Sequence, residues 1–429
     1  MASNGASKKM KLGTEFMSEE EIEWEFGHHE AGVARLNNGA FGCCPGSVME
    51  AQREWQMKNM RQPDKFYVEE LKKGLVRSRS IIKELVNAED VEEITLVDNV
   101  STATAIVLQQ VGWGFHEGRF KKGDVVVMLH YAYGAVKKSM EAYVGRAGGR
   151  VVEVRLEFPV RSEEDVIGEF RKALERGKSG GNRIRLAVID HVTSMPSVVI
   201  PVKELVKMCR DEGVEQVFVD AAHAIGCTRV DVQEIGADFY TSNLHKWFFC
   251  PPSVAFLYAR ASSGMSRDLH HPVVSHQYGK GLAVESSWVG NRDYSAQLVI
   301  PAVMDFVNRF DGGIEGIRKR NHEIVVQMGE MLVQAWGTHL GTPPHMTSSM
   351  LMVALPSSLH ITTDSDALKL RTRLRDHYGV EVPIFFTGLT AYARISRQVY
   401  NTVHDYYKLR DAINQLVQHS HHPMPCSSS

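Results

Sequence analysis

The chain has 429 residues, 43% hydrophobic and 23% charged, and 49 basic against 51 acidic side chains leave a net charge of −2. That balance excludes a global field drawing in nucleic acid or an anionic membrane, and no apolar run approaches the roughly 20 residues that span a bilayer. The length predicts two or three domains at about 150 residues each. Six cysteines lack regular spacing, and two of them are adjacent at Cys43-Cys44. They make no disulfide framework and point to a reducing compartment. The start, MASNGASKKMKLGTEF, has no apolar signal core and no arginine. A cytoplasmic location is therefore expected, with an organelle such as the mitochondrion as the alternative. The 19 histidines are the one anomaly of composition.

In chain order, residues 1–30 are polar and acidic and read as a mobile arm with a short helical candidate over 18–26. Order is expected from Ala34-Arg35-Leu36, through the turn-rich LNNGAFGCCPG of 36–46. Helices are predicted over 47–59, capped by Ser47, and over 66–87. A short strand at 94–97 precedes a helix over 101–111 capped by Ser101 or Thr102. The apolar run 125–129 reads as a buried parallel strand, followed by a helix over 134–144. Strands at 186–190 and 216–220 flank a helix over 202–211, and strands at 239–242 and 254–258 follow. Alternation of this kind predicts an α/β sheet with helices on both faces. After Gly290 the pattern changes. Long helices over 295–310 and 314–336 lead to a strand at 350–355, a helix over 364–377, strands at 380–385 and 391–395, and a helix over 402–419. The expected division is an arm (1–30), a large domain (31–305), a small C-terminal α+β domain (306–420) and a disordered tail (421–429).

Three segments carry chemistry at strand ends, where open α/β sheets bind ligands. They are Val219-Asp220-Ala221-Ala222-His223, Ser242-Asn243-Leu244-His245-Lys246-Trp247 and Asp98-Asn99-Val100-Ser101-Thr102-Ala103-Thr104. Singly, each has a plain reading: Asp220 as a helix cap, Lys246 as a surface lysine, Ser101-Thr102 as a cap. Together they match what pyridoxal phosphate requires. A lysine forms the internal Schiff base, a carboxylate keeps the pyridine nitrogen protonated, and a hydroxyl-rich helix N-terminus takes the phosphate.

With VDAAHAIG (219–226), SNLHKW (242–247), SSWVGNRD (286–293) and YARIS (392–396) in this order, the chain resembles the fold-type I pyridoxal-phosphate enzymes of the class V aminotransferase family. The resemblance covers roughly residues 34–420. It is strongest to the isopenicillin-N-epimerase-like branch, and within it to the plant L-cysteine desulfhydrases, with their LNNGAFGCCP and LHYAYGAV segments. It implies a large α/β domain with a mostly parallel seven-stranded sheet, and a homodimer with shared active sites. Lys246 is implied as the Schiff-base lysine and mover of the substrate α-proton, with an amine depressed by desolvation. Asp220 is implied as the pyridinium partner, and His223 and Ser194 as partners of the phenolic oxygen. Ser101, Thr102 and Ala103, helped by Asn243 and His245, are implied as the phosphate cradle. Asn291 is implied to reach the phosphate of the neighbouring subunit. Tyr131 is implied as the ring-stacking residue, with Tyr133 second. For the substrate, Arg394 is implied as the fork that binds the α-carboxylate, and Asn38 as a further contact. No metal is implied, and the histidines are accounted for partly by His223 and His245, with His130 and His191 beside them.

The segment before Arg394, Pro383-Ile384-Phe385-Phe386-Thr387-Gly388-Leu389-Thr390-Ala391-Tyr392, contains no cysteine. Cysteine desulfurases of this group carry a nucleophilic cysteine there, and neither threonine nor phenylalanine replaces a thiolate. Persulfide transfer is therefore disfavoured. The expected activity is β-elimination on L-cysteine to hydrogen sulfide, pyruvate and ammonia. Epimerisation, transamination and a catalytically silent scaffold stand as alternatives. Cys43 and Cys44 read as small residues of a glycine-rich turn or as thiols near the substrate. Gly177-Lys178-Ser179-Gly180-Gly181 follows a helix rather than a strand and is read as a loop, not a phosphate site.

Overall fold

The computed structural model describes residues 17–263 and 268–421. The first 16 residues of the expected arm and the tail from 422 lie outside the described residues. Among the described residues twelve strands form: β1 (Ala34–Arg35), β2 (Ile94–Val97), β3 (Val125–Leu129), β4 (Arg150–Val154), β5 (Ile184–Asp190), β6 (Gln216–Asp220), β7 (Phe239–Asn243), β8 (Ala255–Ala259), β9 (Met350–Ala354), β10 (Val380–Glu381), β11 (Ile384–Phe386) and β12 (Ala391–Ser396). Seven of them make one sheet in the order β2-β8-β7-β6-β5-β3-β4. Only β8 runs against its neighbours. β3, β5, β6, β7 and β8 are buried along their whole length. Their unbroken apolar runs therefore suit a sheet covered by helices on both faces. Chain order reverses between β3 and β5, which opens a crevice at the carboxyl ends of the central strands. Sequence reading missed β4. It is an edge strand with an exposed Arg150 and a half-buried Glu153, so charged residues interrupt its apolar run.

A second, antiparallel sheet of order β11-β12-β9 builds the C-terminal unit. The division between units departs from the expected one at 305–306. The helix Gly313–Trp336 spans both cores: Ile317 packs into the large one, and Val325, Leu332 and Trp336 into the small one. The start of the ordered chain also belongs elsewhere than expected. β1 pairs in parallel with β10, Ala34 opposite Val380, and Ala34 and Leu36 pack in the small core.

Residues 17–30 are docked rather than a mobile arm. The helix Glu19–Phe26 starts with a capping box between Ser18 and Glu21. Phe26 is buried against Phe306 and Tyr400, with ring centroids 6.1 and 4.9 Å away. Glu25 is fully buried and accepts from Ser47 N and Ser47 Oγ, both at 2.9 Å, and it pairs with Arg309. The expected cap Ser47 therefore sits inside the first turn of the helix Gly46–Arg61, whose N-terminus is served by a carboxylate from another helix. The cap of the helix Val100–His116 also differs from expectation. Asn99 Oδ1 accepts from Thr102 N at 2.9 Å, in place of Ser101 or Thr102 acting as the cap.

Candidate active site

At the carboxyl ends of β5, β6 and β7 lies a cavity of about 200 Å³, lined by Asp190, Asp220, His223, Asn243 and Lys246. β6 is an apolar run that ends in Asp220. β7 passes straight into the helical turn Leu244–Trp247, which turns Lys246 back over that end. The start of the helix Val100–His116 brings Ser101 to the same cavity. It is pinned there because Val100 N donates to Asn243 Oδ1 at 3.0 Å. Asn243 thus holds the helix start at the cavity it also lines.

Lys246 Nζ lies 3.1 Å from His223 Nε2, and Trp247 Nε1–H donates to His223 Nδ1 at 3.2 Å. This pattern decides protonation. A neutral imidazole that accepts at Nδ1 carries its proton on Nε2, so the lysine must accept, and only a neutral amine has a lone pair to do so. The electrostatics agree. Burial, and secondarily the Lys246 and Arg394 charges, hold His223 well below the usual range, so it stays neutral. Burial lowers Lys246 to about 8 against the opposing pull of Asp220. Asp220 is 4% exposed. Burial raises its carboxyl, opposed by the Ala222 N–H and by Lys246.

Arg394, on the buried strand β12, reaches this cavity from the small unit. Its guanidinium donates to Ser194 O at 2.6 Å, Ser194 Oγ at 3.3 Å and Asn37 Oδ1 at 3.0 Å, and it lies 5.6 Å from the Phe385 ring centre. Burial, with Arg371 nearby, lowers it to about 10, which leaves it charged at neutral pH. Ser194 thus bridges cavity and guanidinium. The segment 37–42 forms the other wall. A Cβ on Gly42, whose φ is +69°, would fall 1.8 Å from His245 O, so the backbone of this segment lies directly on the Lys246 turn.

Several expected residues are placed otherwise. Tyr133, 57% exposed, lines the cavity, whereas Tyr131 is half-buried against His130, with ring centroids 3.7 Å apart. Asn38 donates its amide N–H groups to Ser396 Oγ (3.1 Å) and Asn401 Oδ1 (2.9 Å) and accepts from Tyr400, so its amide is largely engaged within the protein. Its neighbour Asn37 touches Arg394 instead. Thr102 is held by Asn99 and Ala103 is fully buried, so of the expected cradle trio only Ser101 lines the cavity. His245 lines it as well, with Nδ1 bonded to Val254 O at 3.0 Å and Nε2 left for the cavity. Asn291, expected at a neighbouring subunit's site, lies outside this chain's own cavity and accepts from Tyr67 OH at 2.5 Å. Cys43 is buried with its thiol pushed up, and burial raises Cys44 to about 12, so both are protonated at neutral pH. Sequence reading missed Asp190, Asn37 and the Trp247 N–H. Asp190 alone left a signal, since it ends its strand as Asp220 does.

The donor set fits pyridoxal phosphate. An amine lowered to about 8, and therefore neutral in a sizeable fraction near physiological pH, stands where it can attack an aldehyde. A buried carboxylate without an arginine partner suits a protonated ring nitrogen. A helix N-terminus with an exposed serine suits a phosphate.

Residues 44–406 match the family described as aminotransferase class-V. The chain is 64% identical over 412 residues to the probable L-cysteine desulfhydrase, chloroplastic, of Arabidopsis thaliana, across 94% of this chain and 87% of the relative. It is 59% identical over 428 residues to an L-cysteine desulfhydrase of the same organism, across 96% and 94%. Among solved structures, the cysteine desulfurase CsdA of Escherichia coli superposes with a TM-score of 0.72 at 17% identity, across 94% and 99% of the two chains. At that identity the likeness is one of fold. With the matched region spanning most of its length and a site of this composition, the chain belongs to the class-V aminotransferase family.

Proposed function

We propose that the protein is a pyridoxal-phosphate-dependent carbon–sulfur lyase that converts L-cysteine and water to hydrogen sulfide, pyruvate and ammonia. The observation that carries this reading is the gathering of a lysine base lowered to about 8 and a guanidinium in a site without an ionisable thiol. Cys43 and Cys44 are protonated, and β11 and β12, with the turn between them, contain no cysteine. Removal of an α-proton is provided for, and capture of sulfur by a protein thiolate is not. The 59% and 64% identity to relatives named L-cysteine desulfhydrase supports the same reading.

When bound, pyridoxal phosphate supplies an electron sink conjugated to the substrate α-carbon. It would be held by Lys246, Asp220, His223, His245 and the helix start at Ser101. Arg394 binds the substrate carboxylate and fixes which bond faces Lys246. Lys246 Nζ takes the α-proton. His223, locked by Trp247, keeps that amine an acceptor. The Cβ–S bond breaks with the sulfur leaving as sulfide, and one water completes the product balance, so no oxidant is required. Segment 37–42 and the buried β12 limit access of bulk water.

The test is to incubate the purified holoenzyme with L-cysteine and measure sulfide, pyruvate and alanine. Equal sulfide and pyruvate are expected. Alanine with protein-bound persulfide would overturn the reading, and turnover that depends on a 2-oxo acid would point to transamination instead. Epimerisation would appear as α-hydrogen exchange without sulfide.

A homodimer belongs to this proposal. Asn291 and the half-exposed Trp288, stacked on Tyr67 at 5.7 Å, offer a surface through which a partner copy would complete the phosphate site. Light scattering at twice the chain mass is the expected result. Among the described residues no helix is long and apolar enough to cross a membrane. The proposed compartment is the cytoplasm, and cell fractionation decides between it and the plastid that one relative's name carries.

A further inference from the structure

One ionisable group in the cavity has no part in the reaction above. Asp190 ends β5 as Asp220 ends β6, and the two are register partners on adjacent parallel strands. In a parallel pair, partners point to the same face of the sheet. Both line the same cavity, and each is 4% exposed. No cation bonds either one. Asp220 Oδ1 accepts the Ala222 N–H at 3.1 Å, whereas Asp190 Oδ2 is buried with no hydrogen-bond partner. Two buried carboxylates at paired strand ends, each raising the other's cost of ionisation, do not readily both stay ionised.

We infer that Asp190 and Asp220 hold one proton between them, that it resides on Asp190, and that Asp190 acts as a positioning residue which lets Asp220 keep its charge for the cofactor ring. The neighbouring groups decide which of the two takes the proton. Asp220 has the backbone N–H of Ala222 and the pull of Lys246. Burial and the Asp220 charge push the Asp190 carboxyl well above the usual range, outweighing the opposing effect of its own backbone N–H. The one cation acting on it, Lys137 from the helix Gly134–Ser139, is 3.3 Å from Glu153 and engaged there. His223 in the cavity and His191 next along the chain are both held neutral. A neutral acid beside Asp220 contributes an O–H donor without a second negative charge. A second charge would raise the Lys246 amine and oppose its neutral form.

The shared proton rests on the strand ends alone, and its role rests on the proposed cofactor. The experiment is infrared spectroscopy of the resting holoenzyme labelled with carboxyl-13C aspartate, at pH 8. A protonated-carboxyl band is expected in the unaltered protein and is expected to vanish in Asp190→Asn. Absence of the band in the unaltered protein would overturn the inference whether or not the variant folds. The same samples give a second reading from the pH titration of the cofactor's visible band. Asp190→Asn, which replaces one neutral group by another, should leave the midpoint unchanged. A midpoint lower by about one pH unit or more would mean that a negative charge had been removed, and would overturn it. Neither readout involves turnover. Sulfide release without the band would sink the shared proton and leave the proposed reaction standing. The band without sulfide release would support the shared proton and sink the reaction.

Discussion

The Trp247 N–H makes a particular demand on the site. It occupies His223 Nδ1, which leaves Lys246 no hydrogen-bonded state except the neutral one. An amine lowered to about 8 is mostly protonated at pH 7 and mostly free above pH 8. Apo-protein mixed with pyridoxal phosphate should therefore develop its visible band faster as pH rises through about 8, and then level off. A rate flat from pH 6 to 9 would contradict this assignment. Trp247→Phe frees His223 to present an acceptor to a protonated amine, so the midpoint should move up. Arg394→Lys keeps the charge but loses the planar fork, and kcat/KM for cysteine should fall about tenfold or more, chiefly through KM. The gathering of Lys246, Asp220 and His223 around one cavity, with Arg394 beside Ser194, was legible from the motifs that carry them, since such chemistry has few substitutes. The contact of Asn37 with Arg394, and the exposure of Tyr133 rather than Tyr131 at the cavity, were not legible, since both depend on how the chain packs after the strand or turn that carries them.

Among the elements, the N-terminal helix Glu19–Phe26 makes the least expected contribution. Its acidic composition reads as a solvated arm, yet Glu25 is fully buried beneath Arg309 and across the start of another helix. Glu25→Ala would strand two donors and one side of an ion pair. A loss of about 1–3 kcal/mol in urea unfolding is expected, with Arg309 partly exposed and so able to recover some solvation. Gly42→Ala tests the segment that lies on the Lys246 turn. With its Cβ overlapping a backbone carbonyl at a positive φ, the variant should retain secondary structure by circular dichroism and lose cofactor uptake. The central strands were legible as apolar runs. β4 was not, because Arg150 and Glu153 interrupt the apolar run of this edge strand.

For the molecule as a whole, buried histidines set the response to acid. His191 is buried, bonded to Tyr240 OH at 2.8 Å, and lowered by burial to about 4. Between pH 6.5 and 4 the unfolded chain takes a proton that the native chain refuses, so stability falls as pH falls across that window. At about 1.4 kcal/mol per unit the loss from this group is roughly 3 kcal/mol. His191→Gln should remove that component, so that the variant's unfolding free energy declines less steeply from pH 7 to pH 4 than the unaltered protein's. Equal slopes would show that His191 is not held neutral. The two-unit architecture was legible from the change of pattern after Gly290. The return of residues 34–36 to the small unit was not, since a two-residue parallel pairing to β10 is set by partners more than 340 positions later.

That return has a consequence for synthesis. Asn38 donates from its backbone N–H to Ser396, 358 positions later, and from its side chain to Asn401, 363 positions later. A nascent chain leaving the ribosome presents the wall of its own active site first and the residues that anchor it last. The large sheet can form while translation continues. The cavity closes only after release, and closing so long a loop costs entropy that only the finished small core offsets. Ribosome-bound chains stalled after β8 should therefore hold a folded sheet and fail to retain pyridoxal phosphate.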